Sequence, residues 1–279
     1  MTARRSMMRS TTAAALVALS GCASALTGSA APGLPAPETT ASRRPVADLL
    51  DDARASWSQR PDAAAVARAL DLYLHAAAAD PAGTEGLWGA IVAELWLARR
   101  EPAASARADR AVSAVRLGEE CVRRAPESAV CDYGLALALG VQAQERPSTA
   151  RDGLKLMVER LRSAAARDPG FDDSGPERVL ALVLLRAPGW PLGPGDPQAG
   201  LDVARSAADR SPSHPPNQLV LAEALVANGA ADAGKAAAER ALALAKERAD
   251  AGDPDAQGWI DEARKILAAA SAGGPSPAW

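Results

Sequence analysis

Few residues in this chain have types or spacing suited to chemistry. There are two histidines, His75 and His214, and three cysteines, Cys22, Cys121 and Cys131. Neither histidine belongs to a recognisable metal-ligand motif. His75, two residues after Tyr73, reads as a surface or internally satisfied helix residue. His214, between Ser213 and Pro215, reads as a solvent-facing turn residue. There is no G-x-S-x-G, no glycine loop for phosphate and no Cys/His pair. Asp172-Asp173 precede Ser174-Gly175-Pro176 and read as the cap of the next helix. Two carboxylates supply too few oxygens for a cation. Glu119-Glu120 and Arg123-Arg124 read as a solvated helix face with i,i+4 pairs. The residues call for no cofactor and no metal, and point away from an enzyme.

The cysteines are more informative. Arg4, Arg5 and Arg9 precede an apolar run, Ala13 to Leu19, which ends in Leu19-Ser20-Gly21-Cys22. That is the basic region, apolar region and small-residue cleavage site of a secretory signal. The cysteine directly after Gly21 makes it resemble the signals cut by the lipoprotein signal peptidase. Residues 1–21 are then a signal peptide, and Cys22 carries acyl chains that hold the protein to a membrane. The apolar run is too short to span a bilayer, which takes about 20 residues. Ala23 and Ser24 follow where an inner-membrane retention aspartate would stand. The expected place is therefore the periplasmic side of a bacterial membrane, the outer one favoured. In that oxidising compartment Cys121 and Cys131 remain, five residues on either side of Pro126. If Pro126 turns a helical hairpin, the two sit level and a disulfide is possible. The alternative is a pair of buried small apolar residues.

The net charge is −3 and aromatics are 3% of the chain. No basic stripe suggests a nucleic-acid surface. Alanine dominates and strand-type alternation is nearly absent, so the sequence predicts an all-α protein whose helices approach closely.

Residues 22–44 hold several Pro, Gly, Ser and Thr with no apolar period, and are expected to form a disordered tether. Residues 273–279 form a flexible tail. Between them, over 45–272, Pro81, Pro126, Pro169, Pro212 and Pro254 recur at intervals of 45, 43, 43 and 42 residues. Proline ends a helix because it lacks an N–H and clashes with the turn before it. A stop at regular intervals predicts a stacked array. The helices following these stops share a mark: Leu135-Ala136-x-x-Leu139, Leu221-Ala222-x-x-Leu225, Leu180-Ala181-x-x-Leu184 and the looser Ile91-Val92-x-x-Leu95. This spacing resembles the first helix of a tetratricopeptide repeat (TPR), although the period is longer than that family's. Leu221, Ala222, Leu225, Gly229, Gly234 and Ala241 fall near its consensus positions. The predicted helices cover 46–59, 62–79, 84–99, 103–124, 128–144, 148–167, 176–186, 198–210, 216–228, 231–249 and 255–270. Their pairs are expected to stack into a right-handed superhelix with a concave face.

One connection breaks the pattern. Ala187 to Pro197 carries four prolines, three glycines and Trp190. It reads as a stiff, ordered excursion. Trp190 either anchors a contact from a lip over the concave surface or plugs the array's own core. The plug is favoured slightly, because a lone tryptophan is mostly buried.

Several segments carry a further resemblance. Gly175-Pro176-x-Arg178-Val179-Leu180, Ala187-Pro188-Gly189-Trp190-Pro191 and Gly195-Asp196-Pro197 are similar to the TRAP-transporter T-component lipoproteins and related periplasmic repeat proteins. Pro215-Pro216-Asn217-x-Leu219-x-Leu221-Ala222-Glu223 fits the same pattern. The likeness covers roughly residues 85–250. It implies a lipid-anchored protein of TPR-like repeats, associated with a periplasmic solute-binding protein, in some members as a trimer with a central pore. The alanine-rich, aromatic-poor composition departs from a ligand-lined pore.

Two expectations follow. One is a lipid-anchored, non-catalytic scaffold for another periplasmic or envelope protein, touching the membrane only through its acyl chains. Its candidate contacts are Trp88, Trp96, Tyr133, Arg178 and Trp190. The other is a T-component-like accessory that binds or channels a small ligand beside a solute-binding protein. A homo-oligomer is compatible with either.

Overall fold

The computed structural model describes residues 33–35 and 44–271. Cys22, the signal segment, most of the tether and the tail lie outside them. Among the described residues there are eleven α-helices and no strand. In order they are α1 (Val46–Trp57), α2 (Ala63–Ala79), α3 (Glu85–Ala98), α4 (Ala104–Arg124), α5 (Ala129–Glu145), α6 (Ala150–Arg167), α7 (Phe171–Arg186), α8 (Pro197–Arg210), α9 (Pro215–Ala227), α10 (Ala231–Asp250) and α11 (Ala256–Ser271). A single 3-10 turn, Pro147–Thr149, leads into α6. Alanine and leucine favour these helices, and side chains close several N-termini. Asp62, Ser128 and Asp196 accept from the backbone N–H of Ala64, Cys131 and Ala199. The recurring prolines follow the ends of α2, α4, α6, α8 and α10. Gly229 and Gly252, both at φ +81°, turn the chain out of α9 and α10.

Consecutive helices pack on one another along the whole chain. The odd-numbered helices also touch in succession, α1 to α3, α3 to α5, and so on to α11. The backbones of the even-numbered helices stay apart, although the Arg124 side chain of α4 reaches the Ala77 carbonyl of α2 at 2.8 Å. The odd helices therefore form a continuous layer and the even ones a splayed outer row, which is an all-α solenoid. Burial follows this division. In α3, 11 of 14 residues are buried, and in α9, 9 of 13. In α6 only 5 of 18 are, and in α10 5 of 20. An inner helix needs apolar residues around most of its surface, whereas an outer helix needs one stripe.

Two large cores abut at α7. The first runs from Leu49 in α1 to Leu184, and the second from Ala181 to Ile266. Glycines let the layers close. A Cβ on Gly118 of α4 would stand 2.7 Å from the Leu135 Cα of α5, and one on Gly86 of α3 would stand 2.6 Å from the Ala77 nitrogen of α2. Gly234 meets the carbonyl of Ala222 in the same way, at 3.0 Å.

Two local expectations change. The stretch before α7 is more than a cap. Asp172, Asp173 and Ser174 are all left-handed, with φ of 52°, 51° and 64°, so regular helix begins only after them. Such conformations cost non-glycine residues roughly 1–2 kcal/mol each. Bonds described below hold them in place. In the tether, Leu34 is half-buried against the first core, so that point of the segment lies on the array.

Candidate functional site

Four buried or half-buried acids on inner helices organise the array. Glu94 of α3 accepts from Arg110 and Ser113 of α4, each at 2.9 Å. Asp132 of α5 accepts from Arg160, Ser163 and Arg167 of α6. Glu177 of α7 meets Ser206 and Arg210 of α8. Glu223 of α9 takes two bonds from Arg186 of α7. Burying a carboxylate without such partners is strongly unfavourable, so these clamps fix how helices sit in register. Hydrogen bonding to Glu223 and burial act in opposite senses on Arg186, and the former raises its pKa overall.

The left-handed turn at Asp172–Ser174 is the centre of a denser junction. Arg178 donates from Nη1 to the carbonyls of Asp172 and Asp173 and to Asn217 Oδ1, each at 3.1 Å. Its Nη2 donates to the Asp172 carboxylate at 2.8 Å. Asn217, fully buried in α9, donates to the carbonyls of Asp173, Ala207 and Ser211. The Tyr133 hydroxyl donates to Asp172 at 3.0 Å. Burial, reinforced by the Asp172 charge, drives that phenol well above its usual pKa. His214 packs its ring edge-to-face against Trp259 and lies 3.4 Å from Asp173. Burial, aided by the Arg178 cation and opposed by Asp173 and Asp172, pushes its imidazole down to about 4. His214 is thus a half-buried residue rather than a solvent-facing one. His75 sits with Nδ1 2.8 Å from the Asp71 carbonyl of its own helix.

The five candidate contacts do not converge. Tyr133 is 2% exposed and Trp96 is 8% exposed, so neither presents a surface to a partner. Tyr133 is inward because its hydroxyl has Asp172 to bond. Trp96 is packed with Val66, Ala93 and Leu97 under the Arg100 guanidinium, 3.6 Å above its ring. Arg178 is committed to the junction. Trp88 is half-buried. One aromatic seam joins α3, α5 and α7: Trp88 stacks on Tyr133 at 5.6 Å, and Phe171 meets both edge-on. Trp88 also lines an open cleft of about 210 Å³ with Arg54, Trp57, Glu85 and Val92.

Trp190 does not plug the core. It is 90% exposed, and Leu192 beside it is 73% exposed. The loop cannot fold inward because it is braced on itself. Gly195 N donates to the Pro188 carbonyl at 2.9 Å and Asp196 N to the Leu184 carbonyl at 2.8 Å. A Cβ on Gly195 would stand 2.0 Å from the Ala187 carbonyl, so only glycine closes this bend. Below the loop an apolar pocket of about 370 Å³ is lined by Leu154, Met157, Val183 and Pro188. A second concavity of about 480 Å³ lies between the loop and the start of α6.

The structure joins Cys121 of α4 to Cys131 of α5, with a Cα separation of 5.1 Å. Among the described residues no three His, Cys, Asp or Glu side chains form a group that could hold a metal. No helix among them is long and apolar enough to cross a membrane.

The sequence matches no protein-family model and no curated protein. The fold has a solved counterpart. A thermophilic TPR protein of Thermus thermophilus, TTC0263, superposes with a TM-score of 0.58 at 18% identity, covering 79% of this chain and 99% of its own. The MamA protein aligns with a TM-score of 0.44 at 15% identity, covering 74% and 94%. With the layered helices, the first likeness makes this chain a TPR-like all-α solenoid.

Proposed function

We propose that the chain is a non-catalytic scaffold, held by acylated Cys22 on the periplasmic side of a bacterial membrane, that docks another envelope protein. The observation that carries this reading is Trp88. One face of its ring is fixed by Tyr133 and Phe171, and the ring also borders the open Arg54–Trp57–Val92 cleft. A pre-set aromatic beside a charge pair, here Arg54 with Glu85 at 2.6 Å, is the composition of a protein hot spot. The absence of an aspartate after Cys22 supports the outer membrane.

A narrower reading makes the partner a periplasmic solute-binding protein, with this chain acting as a T-component-like accessory. What favours it is the junction. Gly175, Arg178 and Asn217, from the segments that carry that resemblance, meet there. The apolar pocket beneath the Trp190 loop would suit a small ligand.

The test is crosslinking of the full chain in its native envelope, followed by mass spectrometry, beside a Val92→Arg variant. Val92 is half-exposed in the cleft, so the substitution spares the core. A partner recovered with the wild type and lost with Val92→Arg, at unchanged thermal stability, supports the scaffold. A solute-binding protein or permease subunit selects the narrower reading. Recovery of assembly proteins alone removes it, and recovery of no specific partner overturns both.

A further inference from the structure

We infer that the Trp190 loop and the first turns of α6 form a second, separate surface that docks on an anionic lipid bilayer. Trp190 and Leu192 are the large apolar side chains most exposed among the described residues, and they stand two positions apart at one loop tip. A flexible loop could hide them. This one is held open by Gly195 N to the Pro188 carbonyl and Leu192 N to the Gly189 carbonyl. A tryptophan held nearly bare on a rigid support is suited to the bilayer interface, where its apolar ring meets the acyl boundary and its N–H stays wet.

The charges beside it point to the same occupant. Arg151 and Lys155 line the concavity that Trp190 and Leu192 border, and Asp152 is the carboxylate lining it. Arg151 and Lys155 are exposed and take part in no ion pair among the described residues, whereas the clamp arginines Arg110, Arg160, Arg167 and Arg186 are all paired. Arg162 continues the stripe along α6, interrupted by Glu159. Three cations against Asp152 and Glu159 leave this face one positive charge in excess, in a chain of net charge −3, which complements anionic headgroups. Two exposed apolar side chains flanked by unpaired cations combine interfacial insertion with electrostatic attraction to anionic lipid. This surface lies on α6 and the α7–α8 loop, away from the Trp88 cleft of α1–α3, and its test is independent of any protein partner.

The full chain is mixed with phosphatidylglycerol/phosphatidylcholine vesicles whose acyl chains are brominated, and tryptophan emission is compared with that of a Trp190→Phe variant. The difference between the two reports one ring, whatever holds the rest of the chain near the bilayer. The expected result is at least a threefold quenching of the difference emission in anionic vesicles. Quenching should be weak in pure phosphatidylcholine and should be lost with Arg151→Glu/Lys155→Glu. Those residues are exposed and unpaired, so the charge-reversed chain should keep its helical signal and melting temperature. Difference emission that is unquenched in anionic vesicles overturns the proposal, as does quenching indifferent to the charge reversal. An unquenched ring that instead crosslinks to an envelope protein assigns the loop to a protein contact and equally overturns it.

Discussion

Arg167, at the end of α6, and Asp132, at the start of α5, are locked together inside the array. The Asp132 side chain is 1% exposed, and Arg167 donates to Oδ2 while Arg160 donates to Oδ1. Ser163 adds a third bond at 2.7 Å. Arg167 also donates to the Pro126 carbonyl at 3.0 Å, tying the preceding turn to the same point. Asp132→Ala would take the shared acceptor from Arg160, Arg167 and Ser163, although both arginines are about 30% exposed and Arg167 keeps the Pro126 carbonyl and Glu127. The expected loss is about 1–3 kcal/mol, the usual consequence of removing a buried acceptor whose donors keep partial access to water. Asp132→Asn, which keeps an acceptor, should lose less. Urea unfolding followed by circular dichroism measures both, and a loss below about 1 kcal/mol for the alanine variant, the scale of an exposed pair, would remove the clamp from the account of stability.

Gly118 makes the companion case for backbone approach. Its place on α4 has no room for a methyl group, because the Leu135 Cα and Cβ would lie 2.7 and 3.0 Å away. In an isolated helix Gly→Ala is stabilising by up to about 1 kcal/mol. Here overpacking should reverse the sign, and Gly118→Ala is expected to destabilise by about 1–3 kcal/mol. Gly258 of α11, whose Cβ would meet nothing within 4 Å, is the control, and Gly258→Ala should stabilise slightly. Paired melting curves decide the matter, and the same sign at both positions would contradict the close-approach argument.

These two residues also show what the sequence disclosed. Proline at regular intervals marks where helices stop because the stop is a local property of one residue. Large–small pairs such as Leu135-Ala136 reveal the inner helices for the same reason. The clamps are different. Arg124, Arg167 and Arg210 each stand two residues before a repeat proline. Arg124 donates to the carbonyls of Ala77 and Asp80, and Arg167 to that of Pro126, each in the turn one repeat earlier. That Arg-x-Pro recurrence was present to be read, but an arginine at a helix end looks like any solvated cation until its acceptor is placed. Tyr133 and Trp96 misled for a related reason. Aromatics in an aromatic-poor chain suggest contacts, yet Tyr133 turns inward to Asp172 and Trp96 packs on Val66 of α2, neighbours that approach only in three dimensions. The left-handed Asp172–Ser174 turn has no local signature, since Arg178 and Asn217 stabilise it from other turns.

The Cys121–Cys131 bridge links α4 and α5 across their turn, and both residues are fully buried. Constraining a loop of this length removes about 2–3 kcal/mol of chain entropy from the unfolded state. Cys121→Ala/Cys131→Ala should therefore lower stability by that order. The wild type should fall to a similar level in excess reductant once unfolded and refolded. Mass spectrometry of the alkylated, non-reduced protein checks the bridge directly, and two alkylated thiols under oxidising conditions would refute it.

His214 gives the fold a pH dependence whose sign is fixed by its surroundings. Its imidazole is pushed down to about 4 by burial, with Arg178 adding to the shift and Asp173 and Asp172 opposing it. In the unfolded chain an imidazole titrates near about 6.5. Between those values the unfolded state binds the proton and the folded state resists it, so stability rises with pH across the window. The contribution is complete above about pH 6.5 and is lost progressively as pH falls toward about 4. Linkage sets its ceiling at about 3.4 kcal/mol, and screening of the half-buried ring reduces it to about 2–3 kcal/mol. Glu262, raised by burial with Arg186 opposing, works in the opposite sense from the ordinary carboxylate range upward and so offsets part of the same window. His214→Gln should remove the rise in stability with pH between about 4.5 and about 6.5, leaving the opposing slope of Glu262. Denaturation midpoints measured across that range for both proteins test this. Parallel curves would mean that the ring is solvated enough to titrate normally. The junction of Arg178, Asp173 and Trp259 around it would then have to be looser than the hydrogen bonds of Asn217 and Arg178 imply.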